Sequence, residues 1–128
     1  MKKEVITTDK AALPVGPYSQ AIKVGDLIFV AGEKGIDPRT GTVVDGGIAT
    51  ETRQTLENVK AILEAAGATM DDVVRTVVYM TDLDSFAEMN AVYAEYFPSN
   101  PPARACVQSG LVKPEFLVEI AATAYLTK

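Results

Sequence analysis

Hydrophobic and polar residues alternate along the first part of the chain as they do in short β-strands. Three runs of strand length are rich in β-branched and apolar residues: 4–8, 19–24 and 27–31. Gly25 and Asp26 separate the second run from the third, and this pair predicts a β-hairpin. The glycine-rich residues 32–47 that follow are interpreted as a long ordered loop.

A helical pattern and then a strand pattern occupy the middle of the chain. From residue 50 to residue 66, apolar residues recur every three or four positions, which predicts the first helix. Gly67 follows where a left-handed C-cap is expected. Residues 73–80 are β-branched and mostly apolar on both faces, which is typical of a central strand covered on both sides.

A second helix and two further strands complete the predicted order. Asp84 or Ser85 caps the helix, since Ser85 has capping-box spacing to Glu88, and a proline stops it. Residues 103–108 and 116–126 have strand character, and we expect these two strands to pair as a hairpin. The order is roughly ββββαβαββ, which indicates an α+β fold with helices on one face of a sheet.

The length and composition are those of a single globular domain. Of the 128 residues, 48% are hydrophobic and 23% are charged, so we predict one domain over residues 1–128. The apolar stretches at 27–31 and 117–126 are far shorter than the ~20 residues of a membrane span. No apolar segment of a signal peptide follows the first lysines. We therefore expect a soluble, cytoplasmic protein.

Two features of the composition restrict the available chemistry. The sequence contains no histidine, which excludes Ser-His-Asp and Cys-His nucleophile systems and most transition-metal sites. Its single cysteine, Cys106, cannot form an internal disulfide or a multi-cysteine metal site. The formal net charge is -5 and the twelve basic residues are scattered, so nucleic acid is not an expected partner. We expect no metal site.

The two strands nearest the C-terminus carry charged residues that need an explanation. In the predicted hairpin, Cys106 lies roughly opposite Glu119, and Arg104 is on the same face. One interpretation is a structural ion pair at a sheet edge or subunit contact. The other is a site in which Arg104 binds a substrate carboxylate and a partly desolvated Glu119 transfers protons. A shift of one residue would move Glu119 to the opposite face, so the spacing leaves both interpretations open.

Three further residues have both a structural and a chemical interpretation. Cys106 is either an inert core residue or a nucleophile, and no histidine is present to activate it. Tyr18 follows a rigid Gly-Pro turn that could direct its hydroxyl into a cleft, or it packs its ring at the edge of the core. Asn90 interrupts the apolar face of the second helix, where a buried amide must find hydrogen-bond partners.

Five sequence blocks resemble one known family. They are GPYSQA at 16–21, IDPRTG at 36–41, MNAVYAEYF at 89–97, PPARACV at 101–107 and VEIAATA at 118–124. In this order, from about residue 4 to residue 126, they are similar to the RidA family, also called YjgF/YER057c/UK114. The resemblance implies a chorismate-mutase-like α+β fold, with a mixed sheet of about six strands and two helices packed on one face. It also implies a homotrimer with ligand clefts between subunits.

The resemblance further implies an activity and a set of site residues. The family's typical reaction is the hydrolysis of 2-imino acids and enamines, such as 2-aminoacrylate, 2-iminopropanoate and 2-iminobutanoate, to 2-keto acids and ammonia without a cofactor. Arg104 is similar to the arginine that binds the substrate carboxylate, and Glu119 to the glutamate that positions and activates water. Four more residues resemble members of the substrate site: Tyr18, Gly32, Asn90 and Cys106.

One segment departs from the pattern of the imine deaminases. Where those proteins commonly have VSGQ, this chain has VAGE, so Ala31 replaces the serine and Glu33 the glutamine. The loss of one neutral hydrogen bond costs ~0.5–1.5 kcal/mol, or roughly tenfold in rate. The departure admits an altered substrate range, or a non-catalytic small-carboxylate-binding or chaperone-like trimer. The endoribonuclease or translation-inhibitor role of some relatives is a third alternative, against which the acidic charge and the missing histidine count.

Overall fold

The structure is a computed structural model that describes residues 2–126. Strands alternate with two α-helices along these residues. In chain order the elements are β1 (Glu4–Ile6), β2 (Ala21–Val24), β3 (Leu27–Glu33), β4 (Ile36–Asp37), β5 (Thr42–Val43), α1 (Ile48–Ala65), β6 (Val73–Met80), α2 (Phe86–Tyr96), β7 (Ala103–Gln108) and β8 (Val118–Tyr125). The predicted α+β class is confirmed.

Six of the strands form one sheet in the order β1-β2-β3-β8-β6-β7. Neighbouring strands are antiparallel except β6 and β7, which run parallel, so the sheet is mixed as predicted. Strands β2 and β3 form the expected hairpin around Gly25 and Asp26. The segment interpreted as a long loop instead begins with the end of β3 and contains the small hairpin of β4 and β5.

The predicted hairpin between the last two strands is wrong, because β6 lies between β7 and β8. Helix α2 carries the chain back to the end of the sheet where β6 begins, so β7 pairs with β6 in parallel. Strand β8 inserts between β3 and β6, where every second residue from Val118 to Ala124 is buried. A central position buries more apolar surface of β8 than an edge position would. The free energy of that burial favours the central position, although a short loop would allow β8 to pair directly with β7.

The core lies between the two helices and one face of the sheet. Its largest fully buried apolar side chains come from both helices and the three central strands: Ile28, Leu56, Val59, Ile62, Leu63, Val78, Met80, Met89, Val118 and Ile120. The apolar face predicted for the first helix is therefore the face that packs on the sheet. Gly67 has the predicted left-handed conformation, φ 87°, and the Ala68 amide donates to the Leu63 carbonyl at 2.8 Å.

Helix α2 starts and ends near the predicted residues but is not capped as predicted. Ser85 occupies the N-cap position and makes no side-chain capping hydrogen bond. A short 3-10 turn, Leu83–Ser85, precedes the helix, and there the Asp82 carboxylate accepts a hydrogen bond from the Asp84 amide at 2.9 Å. That turn occupies the position at which a capping box would form. The helix ends at Tyr96, two residues before the proline.

The face of the sheet opposite the helices, here called the open face, is only partly covered within one chain. Phe29 and Tyr125 point to this face and are 46% and 47% exposed. Val77 and Tyr79 of β6 are partly exposed on the same face, so the expectation that residues 73–80 are covered on both sides is not met by a single chain. No helix between residues 2 and 126 has the length and apolar character needed to cross a membrane.

Candidate active site

Arg104 lies on the edge strand β7 and points to the helix side of the sheet. It pairs with the buried Thr76 of β6, which sets its orientation. Its Nη1 donates a hydrogen bond to Oδ1 of Asn90 at 2.8 Å. Its guanidinium carbon lies 4.7 Å from the ring centre of Tyr93 and 5.4 Å from that of Phe86. Helix α2 thus holds the guanidinium by one hydrogen bond and two cation–π contacts, which leave donors of the guanidinium for a ligand.

A groove between α2 and the start of β7 opens beside this guanidinium. Its volume is about 410 Å³, and it is lined by Asn90, Tyr93, Ala94, Phe97, Pro101, Pro102 and Arg104. The walls are mostly apolar and aromatic, and the polar groups are concentrated at Arg104 and Asn90. Such a groove matches a small carboxylic acid whose anionic end pairs with the guanidinium.

Glu119 lies on the open face of the sheet. It pairs with Tyr79 of β6 and is partly buried. A Cβ atom added at Gly32 would collide with a carboxylate oxygen of Glu119 and would lie 2.8 Å from its Cδ. The carboxylate therefore rests directly against the β3 backbone, where only glycine leaves it room.

Arg104 and Glu119 do not share a cleft within one chain, contrary to the predicted hairpin register. Across β6, Cys106 aligns with Val78 and Val78 aligns with Ile120, so Cys106 is in line with Ile120 and not with Glu119. Successive side chains of a strand point to opposite faces, so this difference of one residue places Glu119 on the other side of the sheet. A structural ion pair between Arg104 and Glu119 of the same chain is excluded for the same reason.

Cys106 shares the helix-side face with Arg104 and packs against the core. Burial raises the pKa of its thiol, and the nearby Arg104 lowers it by a smaller amount. A raised pKa leaves less thiolate at neutral pH, which favours the structural interpretation of this cysteine over the nucleophilic one.

Tyr18 lies beside Lys34, which in turn contacts Gly32. Its amide donates to the Gly16 carbonyl at 2.9 Å, which forms the expected tight turn, and its side chain is 41% exposed. The Lys34 ammonium stands 5.6 Å from the centre of the Tyr18 ring and donates to the Gly32 carbonyl at 3.0 Å. Lys34 thus connects Tyr18 to the strand on which the Glu119 carboxylate rests.

Glu33 appeared in the sequence only as a departure from the family pattern and was not predicted as a site residue. It is 5% exposed and pairs with Ile120, the residue after Glu119. The pKa of Glu33 is raised to about 7, mainly by burial; Lys34 opposes this rise, and the charge of Glu119 makes a smaller contribution to it. Glu33 stands in a strand that is otherwise uncharged from Leu27 to Gly32, and that isolation was the available signal. No pattern in the sequence marked Lys34 as a candidate residue in this way.

The predicted site residues therefore fall into two separate groups. The arginine group consists of Arg104 and Asn90, with Cys106 beside them. The glutamate group consists of Glu119 and Gly32, to which Lys34 connects Tyr18. Within residues 2–126, no cluster of three or more Cys, Asp or Glu side chains is suited to hold a metal ion.

Comparison with known proteins gives the same architecture. The family model Endoribonuclease L-PSP matches residues 8–126. A RutC family protein of Pyrococcus abyssi is 54% identical over 125 residues, which are 98% of each chain. The structure of RidA from the Antarctic bacterium Psychrobacter sp. has a TM-score of 0.92 and 41% identity, over 96% of this chain and 99% of that one. Escherichia coli TdcF with bound serine has a TM-score of 0.92 and 35% identity, over 97% and 99%.

These matches extend over nearly the whole chain, and the solved structures share its two helices packed on a mixed six-stranded sheet. The chain belongs to the YjgF/RidA family, which includes proteins named RidA, RutC and endoribonuclease L-PSP. The predicted family and fold are confirmed.

Proposed function

We propose that this protein hydrolyses 2-imino acids and their enamines, such as 2-aminoacrylate, 2-iminopropanoate and 2-iminobutanoate, to 2-keto acids and ammonia. The observation that most supports this function is the guanidinium of Arg104, which α2 holds beside a groove of about 410 Å³. The groove suits the side chain of a small 2-imino acid, and the guanidinium suits its carboxylate. The bound serine of the related TdcF is a small molecule of the same kind, with a carboxylate and a nitrogen on the adjacent carbon.

The second half of the proposed site comes from another copy of the chain. Arg104 and Glu119 lie on opposite faces of one sheet, so they can act on one substrate only if two copies contribute one residue each. The exposed Phe29 and Tyr125, on the same face of the sheet as Glu119, provide an apolar surface for such a contact. A head-to-tail contact that closes after three copies would form three equal sites, and we propose this homotrimer.

The proposed reaction needs only orientation and proton transfer. Arg104 binds the carboxylate of the imino acid through charge-assisted hydrogen bonds, and Asn90 holds the guanidinium in place. The Glu119 carboxylate of the adjacent copy accepts a proton from a water molecule as the water oxygen attacks the imine carbon. The proton then passes to the substrate nitrogen, the C–N bond of the tetrahedral intermediate breaks, and ammonia and a 2-keto acid leave. No cofactor takes part in these steps.

A site without histidine is compatible with this reaction. Imines of this kind already hydrolyse in water, so the protein needs to supply an acceleration of about 10²–10⁴-fold, which positioning and one general base can provide. The segment with Ala31 lacks the hydroxyl that the related deaminases commonly have. We therefore propose a somewhat slower enzyme or one with a different preferred imine.

The decisive experiment generates an imino acid with an amino-acid oxidase or a dehydratase and follows its decay. The wild-type protein should accelerate the decay over buffer, and Arg104→Ala should abolish most of that acceleration. Arg53→Ala is the matched control, because Arg53 is an exposed arginine paired with Glu95 on the surface. A wild-type protein that leaves the decay rate at the buffer value would rule out the deaminase.

A non-catalytic carboxylate-binding or chaperone-like trimer is the main alternative, and the missing hydroxyl at Ala31 is the feature that favours it. In that case 2-oxobutanoate should raise the melting temperature of the protein, and this stabilisation should require Arg104, while no imine is consumed. The two outcomes of the imine assay separate this alternative from the deaminase.

RNA cleavage is the alternative suggested by the name of the matching family model. The net charge of -5 and the absence of histidine weigh against it, because RNA binding depends on a positive surface. Cleavage of a single-stranded RNA that persists in Arg104→Ala after repeated purification would support this role.

A further inference from the structure

A threonine hydroxyl lies among the apolar side chains that β6 turns toward the helices. Thr76, Val78 and Met80 alternate along this strand, and all three are buried. Thr76 is the polar member of this set, and it is 1% exposed. A valine would fill nearly the same space without the cost of burying a hydroxyl, so the hydroxyl of Thr76 calls for an explanation.

The hydroxyl of Thr76 is hydrogen-bonded to the hydroxyl of Tyr93 on α2 at 2.6 Å. Tyr93 is 5% exposed, and its ring packs on Phe97 with the ring centres 4.7 Å apart. Burial raises the pKa of Tyr93, so its hydroxyl is neutral at physiological pH and can take part in this hydrogen bond as donor or acceptor. Tyr93 is therefore held by Thr76 at its hydroxyl and by Phe97 at its ring.

The ring that Thr76 holds is the ring against which the Arg104 guanidinium lies. Thr76 and Arg104 are register partners of the parallel strands β6 and β7, so they are neighbours in the sheet. The guanidinium carbon is 4.7 Å from the centre of the Tyr93 ring. Tyr93 and Asn90 are three residues apart and share one face of α2, so one turn of the helix contacts the guanidinium with a ring and an amide. Thr76 connects that turn of the helix to the sheet.

We propose that Thr76 is a positioning residue: through the ring of Tyr93, its hydroxyl fixes the guanidinium of Arg104 in the orientation that binds a carboxylate. The inference rests on the proposed function, because the carboxylate is taken to be that of the substrate. A cation–π contact follows the ring when the ring moves, whereas the hydrogen bond to Thr76 is directional and defines where the ring lies on the sheet. Loss of the hydroxyl should therefore weaken carboxylate binding in a protein that still folds.

The variant Thr76→Val tests the inference, because valine has nearly the same shape and lacks the hydroxyl. The probe is 2-oxobutanoate, and its Kd is measured by titration calorimetry. We expect Kd to rise roughly threefold to tenfold over the wild type, the range that corresponds to the loss of one hydrogen bond. Tyr93→Phe removes the other hydroxyl of the same hydrogen bond and should raise Kd by a similar factor. The double variant should show no further rise, since all three variants lack the same hydrogen bond.

The variant Thr76→Ser separates positioning from stability. It keeps the hydroxyl but loses a buried methyl group, so it should unfold at a lower urea concentration than the wild type and still bind 2-oxobutanoate with nearly the wild-type Kd. A purely structural threonine predicts that Kd follows the stability of the variants or does not change in any of them, and either result overturns the inference. Absence of 2-oxobutanoate binding to the wild type overturns it as well.

Thr55→Val and Tyr96→Phe are the matched controls. Thr55 is a fully buried threonine whose hydroxyl donates to a backbone carbonyl within α1 at 2.7 Å. Tyr96 is a tyrosine of α2 whose hydroxyl donates to a carboxylate of α1 at 2.6 Å. Neither hydrogen bond involves the ring that contacts the guanidinium, so both controls should keep the wild-type Kd. If they raise Kd as much as Thr76→Val does, the effect is not specific to Thr76 and the inference is wrong.

A second measurement needs neither a ligand nor an active enzyme. Heteronuclear NMR relaxation of the Nε–H group of Arg104 reports how rigidly the guanidinium is held on the picosecond-to-nanosecond timescale. The order of this group should fall in Thr76→Val and Tyr93→Phe and should stay at the wild-type level in Thr76→Ser. Unchanged order in the two variants that lack a hydroxyl would contradict the inference, whatever the imine assay shows. The predicted loss of order, together with a wild-type protein that consumes no imine, would contradict the proposed function alone.

Discussion

Arg104 and Glu119 are separated by β6 and point to opposite faces of the same sheet. Arg104 pairs with the buried Thr76 and contacts α2, whereas Glu119 pairs with Tyr79 on the open face. A carboxylate-binding arginine and a water-activating glutamate must reach the same substrate. If both residues act in one reaction, the site has to form between copies of the chain.

Mixing two inactive variants tests whether the site is shared. Arg104→Ala and Glu119→Gln each remove one half of the proposed site. When equal amounts are unfolded and refolded together, random assembly restores both halves at one contact in four, so about a quarter of the wild-type activity should return. Each variant refolded alone is the control. If the mixture is no more active than the two variants separately, the site does not span two copies.

Removing the amide that holds the guanidinium should weaken substrate binding. In Asn90→Ala, Arg104 loses its hydrogen bond of 2.8 Å to Oδ1, while its contacts with Phe86 and Tyr93 remain. Because a hydrogen bond to a charged group contributes about 1.5 kcal/mol, KM should rise roughly tenfold with little change in kcat. Steady-state kinetics of imine decay measure both quantities. A fall in kcat at constant KM would contradict a role in holding Arg104 for binding.

A methyl group at Gly32 should displace the Glu119 carboxylate. The added Cβ would overlap a carboxylate oxygen of Glu119, so Gly32→Ala should lose activity to about the level of Glu119→Gln. Gly110→Ala is the matched control, because a Cβ there meets no atom within 4 Å. Circular dichroism checks that both variants fold, and the imine assay compares their rates. Wild-type activity in Gly32→Ala would show that the position of Glu119 next to β3 is not needed.

Glu33 should make the folded protein less stable as the pH rises through neutrality. Burial raises its pKa from 4.5 to about 7. The folded chain thus binds this proton more tightly than the unfolded chain. The stabilising effect is complete below about pH 4.5 and is lost as the pH rises through about 7. Between about pH 5 and pH 8, Glu33→Gln should gain on the order of 2 kcal/mol in free energy of unfolding relative to wild type. Urea unfolding at the two pH values measures this change, and a constant difference would contradict it.

A charge on the open face should prevent assembly. Phe29 is 46% exposed in one chain, and a carboxylate in its place could not be buried against another copy without a partner. Phe29→Glu should therefore elute in size-exclusion chromatography as a single chain of 13.7 kDa, whereas the wild type should elute near three times that mass. Val112→Glu, at an exposed residue of the loop before β8, serves as control. A trimeric Phe29→Glu would show that the open face is not the contact.

Local residue patterns predict most of the secondary structure of this chain. The predicted strands at 73–80 and 103–108 have the bounds of β6 and β7, and Gly67 ends α1 in the left-handed conformation. These features depend on neighbouring residues: β-branched runs, apolar spacing and a glycine after a helix. The capping box at Ser85 is the local prediction that fails, because a 3-10 turn at Leu83–Ser85 takes its place.

The sequence determined which residues could carry the chemistry, since it contains no histidine, a single cysteine, and one charged residue, Glu119, within the last strand. Only the tertiary structure decided where these residues lie. The insertion of β8 between β3 and β6 depends on the burial of its whole apolar face under the helices, which involves residues far apart in the chain. Because side chains alternate with a period of two, that strand order moved Glu119 to the open face and brought it next to Gly32.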